Sequence, residues 1–246
     1  MTDAAGVEHG GMSPAGAFAR VVELFRSDQA RAAPPLTAQL TALWSERART
    51  FGRRCVYDLS VAEEAFDGIT KFQEAELFPL LQAQLSSRTK RVLDYGCGAG
   101  RFSAALRELT DADFCVGFDL CPELIAMAQS NGSDPRTHFV TGTPRQFFRT
   151  LQCKFDLIWI ATVLGGIPDS DLTTLAGDLA SALARGGLLF FAENTAPEDP
   201  ANTFWRSRPV AWYERLFSAR GIRTGRVGAY TSCGTEVSVF AGKKGA

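Results

Sequence analysis

The chain has 246 residues, 46% from the AVILMFWYC set, 22% charged and 11% aromatic. That composition excludes wholesale disorder and low-complexity fibres, and a chain of this length buries roughly 70–75% of its unfolded surface, enough for one sizeable core. Lys and Arg number 26 against 27 Asp and Glu, a formal net charge of −1 that leaves no general electrostatic footprint for nucleic acid.

No stretch approaches the roughly 18–20 apolar residues that a membrane helix needs. The N-terminal stretch lacks a basic start followed by an apolar block, so no secretory signal is expected. Six cysteines occur without a CxxC pair, and the histidines are His9 and His138, so no metal site has ligands at workable spacing. Cysteines in apolar runs such as Phe114-Cys115-Val116 read as free buried thiols, and a reducing, cytoplasmic setting is expected. A homodimer is left open.

Residues 1–35 read as a flexible leader with a short helix over Phe18–Phe25, broken at Pro34-Pro35. Residues 36–89 read as a helical lid or substrate-side extension. Leu36, Leu40, Leu43 and Trp44 set a helical stripe over Leu36–Ala48, and a second helix is expected over Ala62–Leu85, interrupted near Gly68 or Pro79. From Lys90 to the end the texture changes. Strands are expected at Arg91–Tyr95, Asp113–Phe118, Thr137–Val140, Phe155–Ala161 and Leu188–Ala192. Helices are expected between them at Arg101–Leu109, Pro122–Gln129, Pro144–Leu151 and Asp171–Ala184, the last stopped by Arg185-Gly186-Gly187. A helix over Val210–Arg220 and strands near Ile222–Tyr230 and Glu236–Ala241 follow. This alternation predicts an α/β fold: a doubly wound, mostly parallel seven-stranded sheet with helices on both faces. A C-terminal antiparallel hairpin and an N-terminal helical extension complete it.

The most informative run is Val92-Leu93-Asp94-Tyr95-Gly96-Cys97-Gly98-Ala99-Gly100-Arg101. Glycines between a first strand and its helix let the backbone approach a ligand near the helix N-terminus. Asp119, at the end of the second strand, stands where an acid reaches the ribose of a bound nucleoside. The third glycine comes one residue too early for the dinucleotide fingerprint G-x-G-x-x-G. Asp94 faces a pyrophosphate unfavourably but suits a ligand with an ammonium or sulfonium group.

Asp94-x-Gly96-x-Gly98-x-Gly100 resembles the S-adenosylmethionine loop of class I methyltransferases. Gly117–Ala128 resembles that family's second motif, Phe155–Ala161 its fourth strand, and Leu183–Phe190 its turn into strand five. The resemblance spans about Lys90 to Asn194. It implies that Asp94, Gly96, Cys97, Gly98 and Gly100 shape the methionine end of a cofactor pocket. By the same likeness Asp119 binds ribose, Leu120 flanks adenine, and Ile160 and Ala161 lie beside the methionine portion. Many relatives carry an acid after strand three; here that place reads Thr141-Gly142-Thr143-Pro144, and Thr143 is the substitute candidate.

Glu193 and Asn194 end the fifth strand, where Glu193 is the first candidate for a general base, against a reading in which the pair merely caps the next segment. Two clusters of aromatics and arginines are candidate acceptor contacts: Trp44 and Tyr57 among Arg47, Arg53 and Arg54, and Trp205, Arg206, Arg208 and Trp212. They suggest a polar, anionic or sugar-like acceptor, or else a clasp between hairpin and core. His138 and Asp156 begin strands, away from the crevice, and read as structural. The implied activity is methyl transfer from S-adenosylmethionine to an O or N atom of a small molecule. Its rivals are a cofactor-binding regulatory subunit and a nicotinamide-dependent oxidoreductase.

Overall fold

The computed structural model describes residues 35–59, 62–86, 89–131, 134–196 and 205–245. Most of the expected leader, including the helix placed at Phe18–Phe25, lies outside them. The described chain opens with α1 (Pro35–Phe51), a 3-10 turn over Gly52–Val56, and α2 (Phe66–Gln82). Neither Gly68 nor Pro79 interrupts α2; Pro79 sits inside the helix, and Ala83 still donates to its carbonyl at 3.1 Å.

The core follows in the expected alternation: β1 (Arg91–Tyr95), α3 (Ser103–Thr110), β2 (Phe114–Asp119), α4 (Pro122–Asn131), β3 (Thr137–Thr141), α5 (Pro144–Thr150), β4 (Phe155–Ala161), α6 (Asp169–Ala182), β5 (Leu183–Asn194), α7 (Val210–Ser218), β6 (Ile222–Ser232) and β7 (Thr235–Lys244). The sheet order is β3-β2-β1-β4-β5-β7-β6, with β1 to β5 parallel and β7 antiparallel to both β5 and β6. Cys233-Gly234 closes the last hairpin with φ of +48° and +75°, the left-handed pair that a two-residue turn between twisted strands requires.

Strand alternation divides the core into two layers. Leu93, Ile158, Ile160, Leu189 and Phe191 face the helices α5, α6 and α7. Val92, Leu157, Trp159, Leu188 and Phe190 face α2 and α3. Aromatic stacking crosses the strands within each layer: Trp159 on Phe190 at 5.2 Å between centroids, and Phe191 on Phe240 at 4.5 Å.

The expected glycine stop after α6 is corrected. The helix ends at Ala182, and Arg185-Gly186-Gly187 lies within β5. Phe155 pairs with Leu183 and Leu157 already with Leu188, so Ala184–Gly187 form a bulge in which Gly186 takes φ +71°. Both flanking leucines are buried, and the glycines let the chain double back between them. Among the described residues, no helix is long and apolar enough to cross a membrane.

Asp156 pins the start of β1 to β4. Its carboxylate accepts from the backbone N–H of Lys90 (3.2 Å) and of Arg91 (3.0 Å), and from the Arg91 guanidinium (3.1 and 2.8 Å). Asp156→Ala is expected to cost about 1.5–3 kcal/mol, the scale of hydrogen bonds to a charged group. Urea unfolding would read this loss, and ligand affinity should not move.

Candidate functional site

β1 lies between β2 and β4, and chain crossovers leave it toward opposite edges of the sheet, so a crevice opens at the strands' carboxyl ends. The loop after β1 is tied into it. Gly96 and Cys97 donate their N–H groups to the Phe118 carbonyl at 2.7 and 3.0 Å. Gly96 has φ +73°, and a Cβ there would stand 2.4 Å from Val163, so both its conformation and its surroundings demand glycine. The Asp119 carboxylate accepts from Gly98 N on one oxygen and from Cys121 N on the other, each at 2.9 Å. It thereby bolts the glycine loop to the turn after β2.

Asp94 is 2% exposed and accepts the Ser103 hydroxyl at 2.6 Å. Burial raises its pKa to about 7, against the hydrogen bond from Ser103 and the charge of Arg101. Burial likewise raises Asp119 to about 6, against its backbone donors. The Arg101 guanidinium lies 4.2 Å over the Phe102 ring and donates to Gln73, whose amide in turn donates to the Tyr230 hydroxyl at 3.2 Å. Burial lowers Arg101 to about 10, so it remains cationic at neutral pH.

One cleft brings together Asp94, Gly96, Cys97, Gly98, Asp119, Leu120 and Ala161 with Trp44 and Trp205. The other named candidates stand elsewhere, for identifiable reasons. Gly100 (φ +79°) packs against Phe139, whose ring a Cβ would meet at 2.7 Å. Ile160 points into the opposite layer from Ala161 and is fully buried. Thr143 is the N-cap of α5; its hydroxyl accepts from Gln146 N at 3.2 Å and donates to Gln146 Oε1 at 2.8 Å, a capping box.

Glu193, the candidate base, lies outside the cleft lining and braces the turn after β4. It is fully buried, and its carboxylate accepts from Val163 N (2.7 Å), Leu164 N (2.6 Å) and Gly165 N (3.3 Å). Arg208 is 5% exposed and grips the same turn through its carbonyls, donating to Leu164 O at 2.9 Å and Ile167 O at 2.5 Å, and to Asp169 at 2.7 Å. Trp212 stacks on that guanidinium at 4.8 Å rather than on the cleft. Asn194 caps the chain leaving β5, accepting from Ala196 N at 3.0 Å. The Arg206 side chain is exposed and outside the cleft, while its N–H donates to Gly165 O at 2.9 Å. Tyr57 bonds Ser232 of the terminal hairpin.

Several cleft residues escaped the sequence reading. Arg101 had a signal, its place directly after the glycine loop. Val56, Arg145, Asp171 and Asp178 had none, because only packing brings their segments to the crevice. Among the described residues, no group of three or more His, Cys, Asp or Glu side chains is placed to hold a metal ion.

A seven-stranded sheet with this order, a glycine loop and strand-end acids around the crevice define a Rossmann-like nucleoside-binding domain. A family model described as a methyltransferase domain matches residues 69–224, and the chain belongs to that family, the class I S-adenosylmethionine-dependent methyltransferases. It is similar to a trans-aconitate 2-methyltransferase of Azoarcus sp. (strain BH72), 29% identical over 131 residues, 53% of this chain and 49% of that protein. It is 35% identical over 112 residues to the acetylserotonin O-methyltransferase of Rattus norvegicus, 44% of this chain and 25% of that one. The chain thus spans half or less of these curated relatives. The fold resembles that of magnesium protoporphyrin IX methyltransferase from Synechocystis PCC 6803 with bound SAH, with a TM-score of 0.65 at 18% identity. That match covers 84% of this chain and 99% of the other.

The raised pKa of Asp94 has a sign. The folded chain keeps a proton on Asp94 up to about pH 7, which the unfolded chain gives up near its ordinary value of about 4. Its contribution to stability is therefore full below pH 4 and lost as pH rises through 7. Thermal melts of the ligand-free chain at pH 5 and pH 8 should show the parent losing stability relative to Asp94→Asn. A parallel response of the two would refute the assignment.

Proposed function

We propose that the chain transfers the methyl group of S-adenosylmethionine to an O or N atom of a small molecule. The observation that carries this reading is the set of ionisable groups in the cleft: the Asp94 carboxyl and the Arg101 guanidinium at the glycine loop, and Asp119 bonded to Gly98 N within it. An amino-acid end carrying both an ammonium and a carboxylate matches the first two, and ribose hydroxyls match the third. The cradle fits such a group. Gly96 and Gly98, both at positive φ, let the loop backbone come close to a ligand, and the buried acids have pKa values high enough to gain from a cationic partner.

When bound, S-adenosylmethionine supplies a methyl group already activated on a positively charged sulfur. What remains for the chain is positional. Asp94 holds positive charge, Arg101 negative charge, and Asp119 keeps the loop in register while it offers its remaining lone pairs. Trp44, Val56 and Trp205 wall the cleft and exclude water from it. Aligning an acceptor with the reacting bond accounts for much of the rate in such a reaction. No general base is required in this reading, and Glu193 keeps its three backbone donors.

Calorimetric titration with S-adenosylhomocysteine, 5′-methylthioadenosine and NADH tests this directly. Arg101→Met is expected to weaken S-adenosylhomocysteine at least tenfold and to leave 5′-methylthioadenosine, which lacks the amino-acid end, within twofold. Asp119→Ala should weaken both. Tight NADH binding without S-adenosylhomocysteine binding would overturn the reading.

A further inference from the structure

Arg101 follows the glycine loop and lines the cleft, and its guanidinium is held by residues that do not themselves reach the cleft. Its Nη1 donates to Gln73 Oε1, and the Gln73 amide donates to the Tyr230 hydroxyl at 3.2 Å. The guanidinium also sits 4.2 Å over the Phe102 ring. Gln73 is 2% exposed and Tyr230 7%, and neither lines the cleft. Gln73 belongs to α2, which precedes the sheet in the chain, and Tyr230 to β6, the edge strand of the terminal hairpin. These two elements meet closely. A Cβ on Gly228 of β6 would stand 2.6 Å from Leu80 of α2, and the Phe72 ring meets Tyr230 edge-on at 6.2 Å between centroids.

A guanidinium carries several N–H donors, and among the described residues that of Arg101 gives a hydrogen bond to Gln73 alone. Asp94, Glu74, Tyr57 and Tyr230 act on it through their fields, without an ion pair. An amide oxygen fixes a guanidinium in place as a carboxylate would, but adds no charge. The positive charge of Arg101 is therefore positioned and not neutralised. The orientation of the amide follows from its two partners. Its oxygen faces the cation and its NH2 the phenol, since the reverse would set N–H against N–H. A long side chain ordered before its ligand arrives loses less rotamer freedom on binding, so this chain of contacts favours the ligand that Arg101 receives.

We infer that Gln73 and Tyr230 are positioning residues: through the Gln73 amide they hold Arg101, still charged, in place for the carboxylate of the cofactor's amino-acid end. The inference rests on the methyltransferase reading above and goes beyond it by assigning α2 and the terminal hairpin a part in cofactor recognition. Because neither residue lines the cleft, each acts through Arg101. Glutamine suits the position because a glutamate there would cancel the charge that the ligand needs.

Calorimetric titration with S-adenosylhomocysteine and with decarboxylated S-adenosylhomocysteine, which keeps the amine, isolates the carboxylate. Gln73→Met is expected to weaken S-adenosylhomocysteine at least fivefold and to leave the decarboxylated analogue within twofold, which also reports that the variant folds. Tyr230→Phe, a smaller change that removes only the hydroxyl, should weaken S-adenosylhomocysteine at least threefold with the same selectivity. In an Arg101→Met background, Gln73→Met should have no further effect beyond twofold, because a residue that acts through Arg101 has nothing left to position. A loss shared by both ligands overturns the inference, as does a Gln73→Met effect that persists without Arg101, or unchanged S-adenosylhomocysteine affinity in Gln73→Met. Unchanged affinity in Tyr230→Phe overturns the part given to Tyr230. Absence of S-adenosylhomocysteine binding in the parent chain would strike the methyltransferase reading itself, and the inference with it.

Discussion

The carboxyl end of the sheet is held in shape by buried carboxylates that accept main-chain N–H groups. Asp119 joins the glycine loop to the turn after β2, and Glu193 gathers the three amides after β4. Loops at the ends of parallel strands carry backbone donors that no ladder satisfies, and a buried unpaired donor is costly. A carboxylate satisfies two or three of them at once, in charge-assisted bonds. The loops thereby become rigid walls, and the crevice between β1 and β4 exists before any ligand enters it.

The same solution has an electrostatic consequence. Acids removed from water acquire high pKa values, about 7 for Asp94 and Glu193 and about 6 for Asp119. Two of these three line the cleft. A proton-holding acid in a cleft wall gains when a cation arrives, and in Asp119 the bracing contact and the cleft position belong to one group. Glu193 differs in lying outside the cleft lining, with its oxygens taken up by three backbone N–H groups.

Local patterns made much of the fold legible. Strands β1 to β4 and the helices between them follow from apolar runs bounded by Gly, Pro and Asp, and these signals act over a few residues. The cofactor end of the site was legible for the same reason, since Asp94, the glycines and Asp119 lie at fixed offsets within one strand-loop-helix-strand unit. The rest of the lining was legible only in part: Trp44 and Trp205 stand out as aromatics beside arginines, whereas Leu40 and Val56 fit equally well with plain core packing.

Arg208 illustrates the division most clearly. From its neighbours it is a cation in an aromatic run, as suitable for a ligand as for the fold. It becomes structural because its partners, Leu164, Ile167 and Asp169, are 44, 41 and 39 residues away in sequence. Thr143 went to a capping box and Gly186-Gly187 to a strand bulge by similar competition between neighbours. The amino-acid order alone settled the α/β class, the strand-end acids and the glycine loop, because backbone conformation and burial period are short-range properties. Which polar side chains remain available to a ligand was settled by folding, because a hydrogen-bonding group is spent or free according to what packing places beside it.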